Sequence, residues 1–330
     1  MNRAPTGLSG KGCRGCPCSG KVAVDTFAGM RVRFWGVRGS IASPGPSTVR
    51  YGGNTTCIEV RADDGTLIVL DGGTGIYVLA QSLLRELPVS AHVFLSHTHW
   101  DHIQGLPFFT PLFIPGNRMR LYGAHDPVSG QGIEAAMGVQ LQYRYFPVRE
   151  AELKATLDYR TLDPGEPVEL GEGEAGGGAC VVPTLLSHPV VNFGYRVSCR
   201  GRSVFFTGDY EPPYNIYDPS DEEWHDYQAA IDRQRAHADE AMRGVDVLIV
   251  DSAYTPEEYR SRQGWGHGTY DGAMAMARRV GAKKLICTHH EPSRSDDALE
   301  KVFREALERF DRQPGDPVIE LAYEGLSVEL

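Results

Sequence analysis

The chain has 330 residues, room for one large domain or two small ones and for a core that needs no disulfides. Hydrophobic residues make up 41% and charged residues 23%, which is the balance of a globular protein and excludes a disordered or fibrous one. The formal net charge of -10 argues against nucleic acid as the default partner, because general nucleic-acid binders carry a basic face.

No apolar stretch approaches the ~20 residues that span a bilayer. Residues 1–29 are rich in Gly, Lys, Ser and Pro and lack the apolar centre of a signal peptide, so they are expected to be a mobile tail. A cytoplasmic protein without membrane contact is the expectation. The seven cysteines, Cys13, Cys16, Cys18, Cys57, Cys180, Cys199 and Cys287, are odd in number and follow no framework, which fits a reducing compartment. Cys13, Cys16 and Cys18 lack a second half-site, so a loose tail outranks a metal site there.

A hydrolase domain is expected over residues 30–330. Val32 to Trp35, Cys57 to Arg61 and Leu67 to Leu70 read as strands, the last two joined by the Asp63-Asp64-Gly65 turn. Ile76 to Leu87 reads as a helix and Ala91 to Ser96 as a short buried strand. Strands are then expected over Ala179 to Leu186, Phe193 to Val197 and Ser203 to Thr207. A Gly/Glu-rich surface loop, Gly171 to Gly178, precedes them, and a long polar helix, Glu222 to Arg243, follows. Val245 to Val250, the helix Tyr270 to Val280 and Lys284 to Thr288 form a strand–helix–strand unit. Ser295 to Phe310 reads as a last helix before terminal strands near Ile319 and Val328. The motifs contain no internal repeat. The order fits an α/β fold of two facing sheets with helices outside.

The chemistry concentrates in Ser96-His97-Thr98-His99-Trp100-Asp101-His102, directly after an apolar strand. Histidines two apart in extended backbone point the same way. Zinc takes imidazole nitrogen and carboxylate oxygen, usually about four ligands per ion. Four candidate ligands after one strand are too many for one open ion, so two ions are expected. Three histidines in six positions, out of 11 in the chain, make a coincidental polar loop a poor rival.

This His-x-His-x-Asp-His pattern is the signature of the metallo-β-lactamase superfamily, and the chain resembles that family in four further places. Leu70-Asp71-Gly72-Gly73 looks like its first motif, Ser187-His188 its third, Thr207-Gly208-Asp209 its fourth and Thr288-His289 its fifth. The resemblance runs from residue 31 to about residue 292 and implies an αββα sandwich of two mixed sheets. It implies that His97, His99 and His188 hold one divalent ion and that Asp101, His102 and His289 hold the other. Asp209 and a hydroxide would bridge them, with Asp71 orienting the histidine loop. Taken singly, His188 reads equally well as a loop histidine, Asp209 as a turn residue and Asp71 as support for the glycine-rich turn. Zinc is the expected metal, with manganese or iron as alternatives, since mixed His/Asp sites accept all three.

Asp251-Ser252-Ala253-Tyr254 and Gly264-Trp265-Gly266-His267-Gly268-Thr269 resemble the ribonuclease Z-like and cyclic-phosphodiesterase branch. The resemblance implies that His267 assists phosphodiester cleavage and that Asp251 orients it, although Gly268 stands where the family often has Ser. A turn-packing role for His267 is the alternative. The catalytic set expected is thus His267, Asp251 and Asp101, the last also a metal ligand. Phe34 to Ser40, Tyr51 to Thr56 and His289-His290-Glu291-Pro292 resemble bacterial phosphodiesterase-like members. Asn54, Thr55 and His290 are therefore candidate substrate contacts, and Arg38 and Arg50 candidate anion contacts or plain surface arginines. Residues 210–244 form an acidic, aromatic insert that suits a lid over a small substrate, and Tyr210, Tyr214 and Tyr217 are placed to stack on a base or to pack.

The function expected is a dinuclear metal-dependent phosphodiesterase acting on a small cyclic phosphate or nucleotide, with His267 as general acid. The rivals are a ribonuclease of the tRNA 3′-processing type, a lactone or thioester hydrolase, and a non-catalytic metal-binding sensor. No basic tRNA-gripping arm is visible in the sequence. A homodimer is the oligomeric state that the resemblance implies.

Overall fold

A computed structural model describes residues 29–171 and 178–330. The expected tail, apart from Gly29, its cysteines and most of the Gly/Glu-rich loop lie outside the described residues. The first sheet begins with β1 (Arg31–Gly36), β2 (Cys57–Arg61) and β3 (Leu67–Leu70). Helix α1 (Gly75–Leu83) then leads to β4 (Ser90–Phe94), the short α2 (Trp100–Ile103) and β5 (Arg118–Ala124). Helix α3 (Ile133–Gln140) and β6 (Thr156–Leu162) follow. The second sheet holds β7 (Val168–Leu170), β8 (Ala179–Leu186), β9 (Asn192–Cys199) and β10 (Arg202–Phe206). After α4 (Trp224–Met242) come β11 (Val247–Asp251), the short α5 (Pro256–Tyr259), α6 (Tyr270–Val280) and β12 (Lys284–Thr288). The chain then runs through α7 (Asp296–Arg309), β13 (Val318–Leu321) and β14 (Ser327–Glu329).

The strand orders are β14-β1-β2-β3-β4-β5-β6 and β13-β12-β11-β10-β9-β8-β7. Along the first sheet the pairings from β14 are three antiparallel and then three parallel. Along the second, from β7, they are again three antiparallel and then three parallel. The two halves therefore repeat one pairing scheme, although the motifs carry no repeat.

Strand β3 illustrates why an unbroken apolar run works here. Ile68 and Leu70 turn into the layer between the sheets, while Leu67 and Val69 turn to the layer beneath α1. A strand covered on both faces needs no polar alternation. Helix α6 begins at Thr269, whose Oγ1 accepts from the Gly272 amide, and ends at Gly281 in the left-handed region. Expected helix 76–87 stops at Leu83, and the Glu86 amide closes a tight turn on the Leu83 carbonyl. The 210–244 insert differs from a free lid. Helix α4 lies against α6 and β8 and sinks Ala238 and Met242 into the apolar layer outside the second sheet. Among the described residues, no helix is long and apolar enough to cross a membrane.

Candidate metal and catalytic site

Every candidate ligand lies just past a strand end at one rim of the sandwich. His97, His99, Asp101 and His102 follow β4, His188 follows β8, Asp209 follows β10 and His289 follows β12. In open α/β sheets this rim, beyond the carboxyl ends of parallel strands, is where backbone ends without a neighbour and loops of different strands meet.

The loops bring the seven side chains into two overlapping groups. One holds His97, His99, His188 and Asp209, the other Asp101, His102, His289 and Asp209, and in each the ligand atoms lie within 4.8 Å of one another. His102 Nε2 stands 3.1 Å from Asp209 Oδ1 and 3.2 Å from Asp101 Oδ2. His289 Nε2 is 3.0 Å from the same Asp209 oxygen, and His188 Nε2 is 3.2 Å from His99 Nδ1. His97 Nε2, His102 Nε2 and Asp209 Oδ1 are buried without any hydrogen-bond partner. Buried polar atoms are otherwise almost always paired, and these converge on shared points. The residues thus fit divalent metal ions, with nitrogen and carboxylate donors already gathered.

Charge points the same way. Burial would raise the Asp209 carboxyl, yet His102, His289 and His97 hold it far below the ordinary carboxylate range. Burial would lower His102, yet Asp209, Asp101 and Asp71 lift it well above an ordinary imidazole. A carboxylate set this deep calls for positive charge, and bound cations would supply it.

Strain and close approach hold the arrangement. Asp71 and His289 sit at φ of 63° and 59°, a conformation that costs on the order of 1–3 kcal/mol for a residue with a Cβ. Asp71 is wholly buried. Its Oδ1 accepts from the Ser96 amide at 2.7 Å, and its Oδ2 accepts from Ser96 Oγ at 2.8 Å and His102 Nδ1 at 2.7 Å. The bond from His102 Nδ1 leaves Nε2 as the ligand atom. Asp101 Oδ2 accepts from the Ser40 amide at 2.7 Å, and a Cβ on neighbouring Gly39 would stand only 2.2 Å from the His289 ring. Ser40, Gly39 and Ser96 were missing from the sequence-based site. Ser96 abuts the histidine motif and was within reach of that reading, whereas nothing in the sequence links Ser40 to Asp101.

His267 lies beside the second group. Its Nδ1 donates to Asp251 Oδ2 at 2.9 Å, and its ring stacks on His289 with centroids 4.7 Å apart. Burial would lower this imidazole, but Asp251, by charge and by hydrogen bond, together with Asp209 and Asp101 raises it to about 9.

Other candidates lie elsewhere. Thr55 is fully buried and exchanges hydrogen bonds with Thr74, and Asn54 is held by Glu324 through its amide and its Nδ2. His290 is also fully buried, donates from Nε2 to the Ala322 carbonyl at 2.8 Å, and is pushed down to about 3 by burial. Thr55 and His290 therefore have no open face for a substrate, because neighbouring chain encloses both. Arg38 is no anion contact either. It is wholly buried, with Nη2 on Asp296 at 3.2 Å and Nη1 on the Arg294 carbonyl at 2.8 Å. Arg50 pairs with Asp297 and Glu300. Of the insert tyrosines, Tyr210 is buried in the core and Tyr217 packs edge-on against Tyr227. Tyr214 lines a cleft of about 410 Å³ that adjoins His188 and runs beneath α4, past Ile216, Tyr227 and Gln234. A larger hollow of about 920 Å³ lies by Leu67, Ser90 and Arg118, where β3, β4 and β5 begin, at the rim opposite the histidines. It contains none of the chemistry above.

Comparison with known proteins agrees with this fold. Residues 66–290 match the family described as Beta-lactamase superfamily domain. An uncharacterized protein of Mycobacterium tuberculosis (strain ATCC 25618 / H37Rv) is 27% identical over 296 residues, 87% of this chain and 89% of its own. A ribonuclease Z of Methanopyrus kandleri is 26% identical over 291 residues, covering 81% of this chain and 88% of its own. Among solved structures, a diphosphatase from the PhnP family shares the fold, with a TM-score of 0.57 at 20% identity over 91% of this chain and 98% of that one.

Proposed function

Since the chain belongs to the metallo-β-lactamase superfamily, we propose that it is a dinuclear, zinc-dependent phosphodiesterase acting on a small cyclic phosphate or nucleotide. The observation that carries this reading is the Asp251–His267 pair at 2.9 Å, beside the Asp209 and His289 ligand positions. Phosphodiester hydrolysis has to deliver a proton to a departing alkoxide, a demand that a thioester, which releases a thiolate, does not make on this pair.

In this reading His97, His99 and His188 would hold one ion and Asp101, His102 and His289 the other, with Asp209 within reach of both groups. Divalent ions bound there would supply charge for the phosphoryl oxygens and a water nucleophile near neutral pH. Asp71 keeps the His102 proton on Nδ1. Asp251 holds His267 by Nδ1, so Nε2 is the atom that would give the proton.

The name of the Methanopyrus kandleri relative makes pre-tRNA the first competing substrate. Against it stand the net charge of -10 and a cleft beside His188 with no lysine or arginine in its lining. Walls that hold Tyr214, Tyr227 and the Glu211 carboxyl suit a small substrate better than a polyanion. A turnover screen of the zinc-loaded protein tests the reading. It would compare 2′,3′- and 3′,5′-cyclic nucleotides, a ribose cyclic phosphate, bis(p-nitrophenyl) phosphate, a pre-tRNA and a lactone. Cleavage of the small diesters is expected, and activity confined to the pre-tRNA or to the lactone would overturn the assignment.

A further inference from the structure

Glu211 is a buried carboxylate that the catalytic scheme leaves unused. It opens the loop that leads to α4, and only 4% of its surface is exposed. Burying an ionised carboxylate is costly unless donors surround it. Three donors do. Oε1 accepts from Tyr259 Oη at 2.7 Å and from the Gly264 amide at 2.8 Å, and Oε2 accepts from the Gly266 amide at 2.8 Å. The backbone amide of Glu211 itself donates to the Ser187 carbonyl at 3.1 Å. One residue thereby ties the strand end that carries His188 to the loop that carries His267.

The loop is shaped for this. Gly264 and Gly266 have φ of 88° and 92°, and their two amides converge on the carboxylate as a concave nest does on an anion. A Cβ on Gly266 would stand 2.3 Å from His188 Nδ1, so no larger residue fits. The Gly266 carbonyl accepts from His188 Nδ1 at 3.0 Å. That bond keeps the His188 proton on Nδ1 and leaves Nε2 unprotonated toward the first ligand group. Gly266 also directly precedes His267.

We propose that Glu211 is a positioning residue: by clamping the Gly264 and Gly266 amides it sets the tautomer and orientation of His188 and the placement of His267. The clamp acts through backbone, since the Glu211 carboxylate bonds to the Gly264 and Gly266 amides and to Tyr259. The His267 half of the statement rests on the phosphodiesterase reading, but the His188 half does not.

The Glu211→Gln variant separates the two ends of the clamp. Its amide oxygen still accepts from Tyr259 and Gly264, while its NH2 group meets the Gly266 amide donor to donor. Two readouts need no substrate. In metal-free protein with ¹⁵N-labelled histidine, the His188 signals, assigned by their loss in His188→Asn, report the tautomer. A zinc titration reports affinity. Wild type is expected to show the Nδ1–H form of His188. Glu211→Gln is expected to show a tautomer mixture and a zinc affinity lower by about ten- to a hundred-fold. Tyr259→Phe, which removes one donor at the other oxygen, is expected to match wild type in both. Glu211→Asp keeps the charge but is one methylene short of Gly266, and it serves if the Gln variant fails to fold. A folded Glu211 variant with the wild-type tautomer and zinc affinity within two-fold of wild type would overturn the proposal. A protein that cleaves no phosphodiester would still give both readouts, so failure of the functional reading stays distinct from failure of the clamp.

Discussion

Replacing Asp71 with Asn tests how the second ligand group is held. The backbone there is left-handed at φ 63°, which Asn tolerates better than most residues, so the main chain can stay in place. The change is confined to hydrogen-bond chemistry. Three donors now point at the carboxylate: the Ser96 amide, Ser96 Oγ and His102 Nδ1. An asparagine that keeps its oxygen on the Ser96 amide turns its NH2 toward His102. The imidazole then has to accept at Nδ1, its proton moves to Nε2, and the ligand atom is lost to the metal. Loss of such a supporting carboxylate lowers metal affinity by about ten- to a hundred-fold, or about 1.4 to 2.8 kcal/mol. The unsatisfied buried donors cost a further ~1–3 kcal/mol of stability. Zinc titration followed by a competing chromophoric chelator would resolve two classes of site. The second equivalent is expected to weaken and the first to stay near wild type, with a lower urea midpoint for the metal-free protein. Two equivalents bound with wild-type affinity would refute the reasoning, because His102 would then not depend on Asp71 for its tautomer.

Two further perturbations follow from buried groups away from the ligand atoms. Arg38→Ala removes a fully buried guanidinium and strands Asp296 and the Arg294 carbonyl, so it is expected to cost about 3–5 kcal/mol in urea unfolding. A loss below about 1 kcal/mol would return Arg38 to the status of an ordinary surface arginine. His92 is lowered to about 4, chiefly by burial and then by Arg120, so the folded protein holds it neutral while the unfolded chain protonates it below about pH 6.5. Its contribution is therefore present above about pH 6.5 and is lost as pH falls toward 4. The thermal midpoint of metal-free His92→Gln is expected to fall less between pH 7.5 and pH 5 than that of wild type, and an equal fall would contradict the assignment.

Much of this molecule is legible in the sequence, and the parts that are not have physical causes. Strand β8, helix α6 and strand β12 match their expected limits because apolar runs of the right length end at strong stops, such as Thr269 and Gly281 around α6. Strands β5, β6 and β7 go unread. In β5, Arg118, Met119, Arg120 and Leu121 alternate across the sheet, and β6 is an edge strand with four of its seven residues exposed. Such strands are defined by their neighbours in the sheet more than by their own composition. Strand β7 has three residues, too few for any period. The seven proposed ligands were readable because each stands just past an apolar strand, and the fold gathers them at one rim. The substrate contacts were harder. His290 follows His289 in sequence and Thr55 follows Asn54, but adjacency cannot reveal that both are wholly buried, with Thr74 bonded to Thr55 and the Ala322 carbonyl on His290 Nε2. Arg38 misled for the same reason: its partner Asp296 is 258 residues away in the chain.

The most direct test of the central claim is the dependence of the His267→Ala defect on the leaving group. A p-nitrophenolate departs without a proton, whereas an alkoxide does not, so a general acid matters only for the second. Zinc-loaded wild type and His267→Ala would be compared on bis(p-nitrophenyl) phosphate and on the alkyl phosphodiester that wild type cleaves fastest. The account predicts a loss of about 10²–10⁴-fold in kcat on the alkyl diester and less than about ten-fold on the nitrophenyl one. Equal losses on both, or no loss on either, would contradict it.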